Sequence, residues 1–208
     1  VRVELEGFAP LDEKWITVSA GSITMIYIGF RPGGFGPGVA PLNLWPGWNF
    51  VSTPKQLAAG ANTFAIFNDI DTAGHSILLY DSLTGWDTME PEDEFRPLDG
   101  IWIYANGTYK IPLVFAATSN SPLPTKVLDR GWNAIGFTNV ASETAASTLL
   151  PLGEHWTTLI GYDAKVQRYE DSIIRGGTGR HSEMREMFPF RGYWIYMNDV
   201  DTLVAIGA

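Results

Sequence analysis

One pattern of glycine and aromatic residues occurs twice in this chain. The first copy comprises Gly47-Trp48-Asn49, Tyr80-Asp81 and Gly100-Ile101-Trp102-Ile103-Tyr104. The second comprises Gly131-Trp132-Asn133, Tyr162-Asp163 and Gly192-Tyr193-Trp194-Ile195-Tyr196. These residue types pack and turn a chain, and they do not form a set of nucleophiles, bases or metal ligands. The duplication therefore predicts two structural units of one design and assigns no reaction.

The residue composition around this pattern favours strands over helices. Aromatic residues make up 13% of the 208 residues, and there are 22 glycines and 13 prolines. Aromatic side chains suit pleated surfaces, whereas glycine and proline suit the tight turns between strands. We therefore expect a β-rich α+β fold with mostly antiparallel sheets. There is no cysteine, which excludes disulfides, thiolate metal sites and cysteine nucleophiles.

The net charge and hydropathy restrict the partners. A formal charge of -9 repels a phosphate backbone, so we expect no nucleic-acid partner. No apolar run approaches the roughly 20 residues that a membrane helix needs, so we expect no membrane span. The chain begins at Val1 rather than Met, which we interpret as the mark of processing. A secreted or cell-surface location is the expectation.

The chain divides into three parts by its motifs. Residues 1–43 hold an N-terminal strand and hairpin segment followed by a Gly/Pro-rich linker, residues 44–127 the first repeat and residues 128–208 the second. Each repeat is predicted to run strand, helix, hairpin, hairpin. The order of elements indicates an antiparallel unit, and two such units are expected to share or face a common core.

Particular segments are predicted for the elements inside each repeat. Helices are expected at 53–60, where Thr53 caps and Pro54 begins the helix, and at 143–150 with Ser142 as cap. The first hairpin of each repeat is expected at 76–89 and at 157–169. The second is expected to join 100–104 to 109–115, with Asn106-Gly107 as its turn, and 192–197 to 203–206.

At these motifs the chain resembles the GWN…YD…GYWI-type aromatic repeats of secreted and cell-surface, S-layer-associated proteins of archaea and bacteria. The resemblance covers residues 44–208, and the second copy matches more closely. The first copy has Ile101 where the usual residue is Tyr, and Leu98-Asp99 in place of Pro-Gly. The resemblance implies a surface setting and a type of module, and it implies no catalytic residues.

The tryptophans fall into two groups with different expected roles. The repeated ones are expected to be buried core residues, since each occupies the same place in its own copy; the alternative is a sugar-stacking platform. They are Trp48, Trp102, Trp132 and Trp194. Tryptophans that occur in one copy only are the better candidates for stacking on a ligand. They are Trp86, which is the first choice, Trp156 and Trp45.

Acidic side chains concentrate in the first repeat, and Ca²⁺ takes oxygen ligands from such loops. The candidate ligands are Asp69, Asp71, Asp81, Glu92, Asp93 and Glu94. The run from Asp69 to Gly74 has two carboxylates and a glycine but lacks the closing Glu of an EF-hand loop. Calcium is the one cofactor that the sequence suggests, and a solvated acidic surface is the alternative.

The remaining candidates for sites are one glycosylation pattern and the histidines. Asn106-Gly107-Thr108 fits the N-glycosylation pattern, although its Asn-Gly pair already favours a turn. The three histidines are far apart and belong to no zinc motif, so we expect no zinc site.

Two functions of different classes follow. The first is a non-enzymatic extracellular structural subunit that assembles with itself at the cell surface into a layer, sheath or filament, by exchange of its N-terminal strand. The alternative is a carbohydrate-binding or adhesion module that uses exposed tryptophans, with glycans as partners. No enzyme is expected, because the repeated motifs carry no reactive groups.

Overall fold

The computed structural model of the chain describes residues 39–116 and 123–205. The N-terminal strands and most of the Gly/Pro linker expected from sequence lie outside the described residues. Within these ranges the fold is β-rich and its sheets are antiparallel, which confirms the predicted class. In the same ranges no helix has the length and apolar character needed to cross a bilayer.

The elements of the chain are short strands separated by turns. The first half holds β1 (Val39–Leu44), β2 (Gly47–Val51), β3 (Leu78–Asp81), β4 (Gly85–Thr88), β5 (Ile101–Ala105) and β6 (Tyr109–Val114), with a 3-10 helix at Phe64–Phe67. The second half holds β7 (Thr125–Leu128), β8 (Gly131–Gly136), β9 (Glu143–Thr144), helix α1 (Ala145–Thr148), β10 (Trp156–Asp163), β11 (Arg168–Tyr169), β12 (Ile173–Ile174), β13 (Glu186–Met187), β14 (Gly192–Met197) and β15 (Asp201–Val204). Two 3-10 turns, Leu150–Leu152 and Gly179–His181, complete it.

Each half contains one main sheet, and the strand order is the same in both. The first sheet runs β2-β5-β3-β4 and the second β8-β14-β10-β11, with β12 added on β10. A two-stranded ribbon accompanies each sheet, β1 with β6 and β7 with β15. The first strand of each ribbon begins before the boundaries at 44 and 128 that the sequence predicts, β1 at Val39 and β7 at Thr125. The division of the chain into three parts stays a prediction.

The second hairpin predicted for each repeat does not form. Strand β6 pairs with β1 and not with β5, and β15 pairs with β7 and not with β14. The reason lies in β5, where Ile101 and Ile103 are fully buried on one face and Trp102 is 7% exposed on the other. A strand that is buried on both faces belongs in the middle of a sheet, and β2 and β3 occupy its two edges.

The helix predictions also need correction. Residues 53–60 form no helix, because their backbone pairs with β6: Ala58 N–H donates to Val114 O at 2.8 Å. In the second half the helix is a single turn, α1, and its cap is Thr144 and not Ser142. The Oγ1 atom of Thr144 accepts a hydrogen bond from Ser147 N–H at 3.2 Å. Tertiary pairing has thus overridden local helix signals.

Side chains alternate between two environments along the main strands. In β5 and β14 the odd-numbered residues pack into the core of their own half, which lies on the outer face of the sheet. The opposite faces of the two sheets turn toward each other and meet through an aromatic layer. Its buried members are Phe50, Trp102, Ala134 and Tyr162.

The two halves contact each other through a reciprocal pair of hydrogen bonds. Ser52 N–H donates to Phe190 O at 3.0 Å, and Gly136 N–H donates to Leu98 O at 2.8 Å. Ser52 and Gly136 occupy equivalent positions in the repeat, four residues after its first tryptophan. Phe190 and Leu98 are also equivalent, two residues before its second glycine. The halves are therefore related by an approximate two-fold axis.

The close contact between the halves explains why Gly100 and Gly192, the second glycine of each copy, are glycines. A Cβ atom on Gly100 would lie 2.8 Å from Ile135 O, and one on Gly192 would overlap the ring of Phe50. Real Cβ atoms do not approach neighbours so closely. The glycine recurs because the two sheets meet at this point.

Candidate functional site

The Gly-Trp-Asn motif builds the turn that begins each main sheet. Asn49 Oδ1 accepts Trp45 N–H at 2.8 Å, while Asn49 Nδ2 donates to the carbonyls of Trp45 and Gly47. The asparagine of the second copy makes the same three bonds, with Asp129 and Gly131 as partners. Both amides are buried. The repeated asparagine therefore holds backbone and offers no free group to a ligand.

The Tyr-Asp motif ends the first strand of the hairpin in each half, and its aspartate leads into the turn. Asp81 Oδ1 accepts the N–H groups of Leu83 and Thr84, both at 2.9 Å, and Asp163 Oδ1 accepts Lys165 N–H at 2.9 Å. The N–H groups of Thr84 and then Leu83 hold the pKa of Asp81 below its usual value, because they stabilise its charged form. These carboxylates form turns.

An aromatic cleft opens at one end of the layer between the sheets. It encloses about 360 Å³, and we refer to it as the aromatic cleft. It is lined by Tyr80, Trp86, Trp132, Ile160, Tyr169 and Trp194. Trp86 and Tyr169 are each 55% exposed and Trp132 is 38% exposed, so three large apolar faces meet solvent at one place.

The cleft side chains are held in place by one another. The ring of Trp194 on β14 meets Tyr80 at 4.9 Å and Trp86 at 5.6 Å, both edge to face. Tyr80 and Trp86 are themselves cross-strand neighbours in the β3–β4 hairpin. The edge-to-face contacts orient these rings with respect to one another, so the walls of the cleft are formed by side chains that pack together.

The tryptophans that the sequence predicts to stack on a ligand lie at different places in the structure. Trp86 lies in the aromatic cleft. Trp156 is 2% exposed, so the expectation that it contacts a ligand is wrong. Trp45 lies at a smaller cavity of about 160 Å³ between the halves, where Lys165 Nζ is 4.6 Å from its ring centre.

The sequence predicts that all four repeated tryptophans are core residues, and this prediction is wrong for two of them. Trp102 is buried and Trp48 is half-buried, but Trp132 and Trp194 line the aromatic cleft. Strand alternation is the signal that could have found them. Tyr193 and Ile195 face the core of their half, so Trp194 between them must face the other way. Tyr80 and Tyr169 were missed as cleft residues.

The six expected calcium ligands do not come together. In residues 39–116 and 123–205 no group of three or more His, Asp or Glu side chains could hold a metal ion. Carboxylate oxygens of this set accept hydrogen bonds from the protein itself. The Asp71 carboxylate accepts hydrogen bonds from Ala73 N–H and from Asn106 Nδ2, both at 2.9 Å. The Glu94 carboxylate accepts Asn62 Nδ2 at 2.9 Å and Arg96 Nε at 3.0 Å. A calcium site formed by this set is a wrong prediction.

Asn106 and the histidines have structural contacts. Asn106 is exposed, but its side-chain amide donates to Asp71. His75 packs on the rings of Trp48 and Tyr104, at 5.3 and 4.6 Å. His155 Nδ1 lies 2.8 Å from Asp201, and this contact lowers the pKa of the Asp201 carboxyl. Glycosylation at Asn106 stays a prediction.

Comparisons with protein-family models, curated proteins and solved structures found no match. The resemblance to secreted and cell-surface repeats therefore stays a prediction. The aromatic cleft is the strongest candidate for a site in the described part of the chain.

Proposed function

We propose that the chain is a non-enzymatic carbohydrate-binding module of a secreted or cell-surface protein and that the aromatic cleft is its glycan site. The observation that carries the proposal is the exposed, pre-formed group of aromatic faces. A pyranose ring has one face of C–H groups, which packs on an aromatic ring with loss of apolar surface to water.

The size and charge of the cleft favour a neutral glycan. Its volume of about 360 Å³ falls within the range of about 300–1,000 Å³ that is typical of small-molecule sites. None of the residues that line it is charged. The net charge of -9 on the chain also repels acidic polysaccharides.

The test is calorimetric titration with neutral hexasaccharides, together with tryptophan fluorescence. Trp86→Ala removes an exposed face of the cleft and is expected to weaken binding by about tenfold or more. Leu83→Ala is the matched control, because Leu83 is 78% exposed on the same hairpin but does not line the cleft. Circular dichroism of both variants checks that they fold.

Two results would contradict the proposal. One is the absence of binding across a broad panel of neutral glycans. The other is binding that Trp86→Ala and Leu83→Ala weaken equally, because that would place the glycan elsewhere.

Self-assembly by strand exchange, the first function expected from sequence, stays a separate prediction. It depends on residues 1–38, where Val1, Val3 and Leu5 alternate with charged residues as in an edge strand. Negative-stain electron microscopy of the full chain and of a chain without residues 1–30 tests it. Assemblies that survive the deletion would exclude strand exchange.

A further inference from the structure

A side-chain amide occupies the free edge of strand β2. Gln167, at the end of the β10–β11 hairpin, accepts Trp48 N–H with Oε1 at 2.7 Å and donates from Nε2 to Trp48 O at 2.9 Å. Its carboxamide thus pairs with one edge residue as a neighbouring strand would. The donor Nε2 and the acceptor Oε1 are both attached to Cδ and point the same way, which complements the N–H and C=O of a single extended residue.

The equivalent residue of the second copy is Trp132 in β8, which is also an edge strand. Along β8, Gly136 N–H points away from β14, because it donates to Leu98 O. Pairing between β8 and β14 has no register shift, and backbone groups alternate in direction along a strand. Trp132, four residues from Gly136, therefore turns its own N–H and C=O away from the sheet.

Among the described residues, no side-chain amide bonds to this edge. Counted forward from the Tyr-Asp motif, the position of Gln167 falls on Gly85, which has no side chain. Counted back from the strand after the turn it falls on Thr84, because Asp81 pairs with Gly85 whereas Asp163 pairs with Arg168, so the β3–β4 turn is one residue shorter. A Cβ atom built on Gly85 or on Gly131 would meet nothing within 4 Å among the described residues. In the described part of the chain, the space that the Gln167 side chain fills in one half is therefore open in the other.

This open edge borders the aromatic cleft. Trp132 lines the cleft, and Gly85 immediately precedes Trp86, which lines it as well. Further along β8, Gly136 N–H is already paired and Ala134 is 1% exposed. In residues 39–116 and 123–205, one backbone donor and one acceptor, both of Trp132, are therefore presented beside the aromatic faces, too few for an added peptide strand.

We infer that the backbone N–H and C=O of Trp132 recognise two neighbouring hydroxyl groups of a sugar ring whose apolar face packs in the aromatic cleft. One hydroxyl oxygen accepts Trp132 N–H, and the adjacent hydroxyl donates to Trp132 O, in the place that the Gln167 carboxamide takes in the first copy. A secondary amide fits less well, because its N–H and C=O point in opposite directions. The inference rests on the proposed function and narrows the ligand to neutral glycans with free vicinal hydroxyls.

The glycan arm of the test compares neutral glycans that differ in their hydroxyl pairs. Cellohexaose, xylohexaose and α-1,6-mannohexaose have vicinal hydroxyls on every ring. A long soluble β-1,3-glucan has none on its internal rings, and its terminal rings are a negligible share of the rings present. At least one of the hexasaccharides is expected to bind about tenfold more tightly, per ring, than the β-1,3-glucan, the effect of two hydrogen bonds. Equal affinity for the β-1,3-glucan would overturn the inference and leave the proposed function standing. Binding of none of the four would overturn both.

The second part of the test introduces a side-chain amide next to Trp132. In Gly85→Gln the new carboxamide is expected to bond to the N–H and C=O of Trp132 and so to remove the preference for vicinal hydroxyls. Gly85→Ala is the matched control, because it places the same strained Cβ at a φ of 90° without an amide. Thermal unfolding of both variants checks the fold. If Gly85→Gln binds the preferred hexasaccharide as tightly as Gly85→Ala does, the inference is wrong.

Discussion

At the scale of single residues, a buried asparagine determines where each main sheet begins. Asn49 and Asn133 each join the two sides of a turn through a side-chain acceptor and donor. The sequence showed that this residue is repeated, but not why. A Gly-Trp-Asn triplet carries no sign that its amide folds back onto the residue four positions before it.

Asn133→Ala should destabilise the protein markedly. It removes three hydrogen bonds and leaves the N–H of Asp129 and the carbonyls of Asp129 and Gly131 without their partner. The expected loss is about 2 to 4 kcal/mol in the free energy of unfolding, measured by urea denaturation. Asn198→Ala, at an exposed position, is the control. Equal midpoints for the two variants would contradict this role.

The Asp81 carboxylate should make the free energy of unfolding depend on pH in the acid range. Its pKa in the folded chain lies below the value in the unfolded chain, so its contribution is present above about pH 4 and is lost as the pH falls through the folded pKa. Asp81→Asn keeps an acceptor for the turn but does not titrate. Urea unfolding at pH 7, 4 and 3 should show a smaller acid loss for this variant than for the parent chain. An identical pH profile would show that this turn is not linked to protonation.

At the scale of elements, local turn chemistry was predictive and distant pairing was not. The β3–β4 and β10–β11 hairpins form where the sequence indicated, because a few adjacent residues determine each turn. The expected second hairpins fail because β6 and β15 pair with strands far away in sequence. The same reason applies to residues 53–60, whose helix signals are local and whose backbone partners are not.

The candidate site was predicted only in part, for a related reason. Trp86 follows a hairpin turn and could be recognised as exposed. Trp132 and Trp194 belong to repeated motifs, and repetition suggested a common buried environment. The two copies of a motif have different surroundings where the halves meet: Trp102 is 7% exposed, while its counterpart Trp194 lines the cleft.

Substitutions of Gln167 should separate its hydrogen bonds from its backbone strain. Gln167 has a φ of 54°, and its side chain bonds to the backbone of Trp48 and Ala164. Gln167→Ala loses the bonds and keeps the strain, whereas Gln167→Gly loses both. We expect the glycine variant to be the more stable of the two by about 1 kcal/mol, seen as a higher melting temperature. The reverse order would show that chain flexibility outweighs strain here.

At the scale of the whole molecule, the two halves should unfold together. Their contact includes the aromatic layer and the reciprocal hydrogen bonds of Ser52 and Gly136. Neither half can expose its side of that layer without loss of buried aromatic surface in the other. A single cooperative transition is the expectation.

Gly192→Ala should destabilise both halves at once. The new Cβ atom would overlap the ring of Phe50, and overpacking of this kind costs about 2 kcal/mol. Gly107→Ala is the control, because its Cβ would make an ordinary contact 3.7 Å from Tyr109. Urea unfolding followed by tryptophan fluorescence and by far-ultraviolet circular dichroism should give one shifted midpoint. Two separate transitions in the variant would show that the halves are independent.

The reciprocal contact between the halves also limits how such units can be combined. Each half donates one N–H to a carbonyl of the other half and accepts one N–H in return, so all four groups are paired once two units have met. A contact of this symmetry closes and cannot propagate in a row, unlike a head-to-tail interface. A longer chain built from these units by the same contact would therefore grow in pairs, and an odd unit would be left with its aromatic face uncovered.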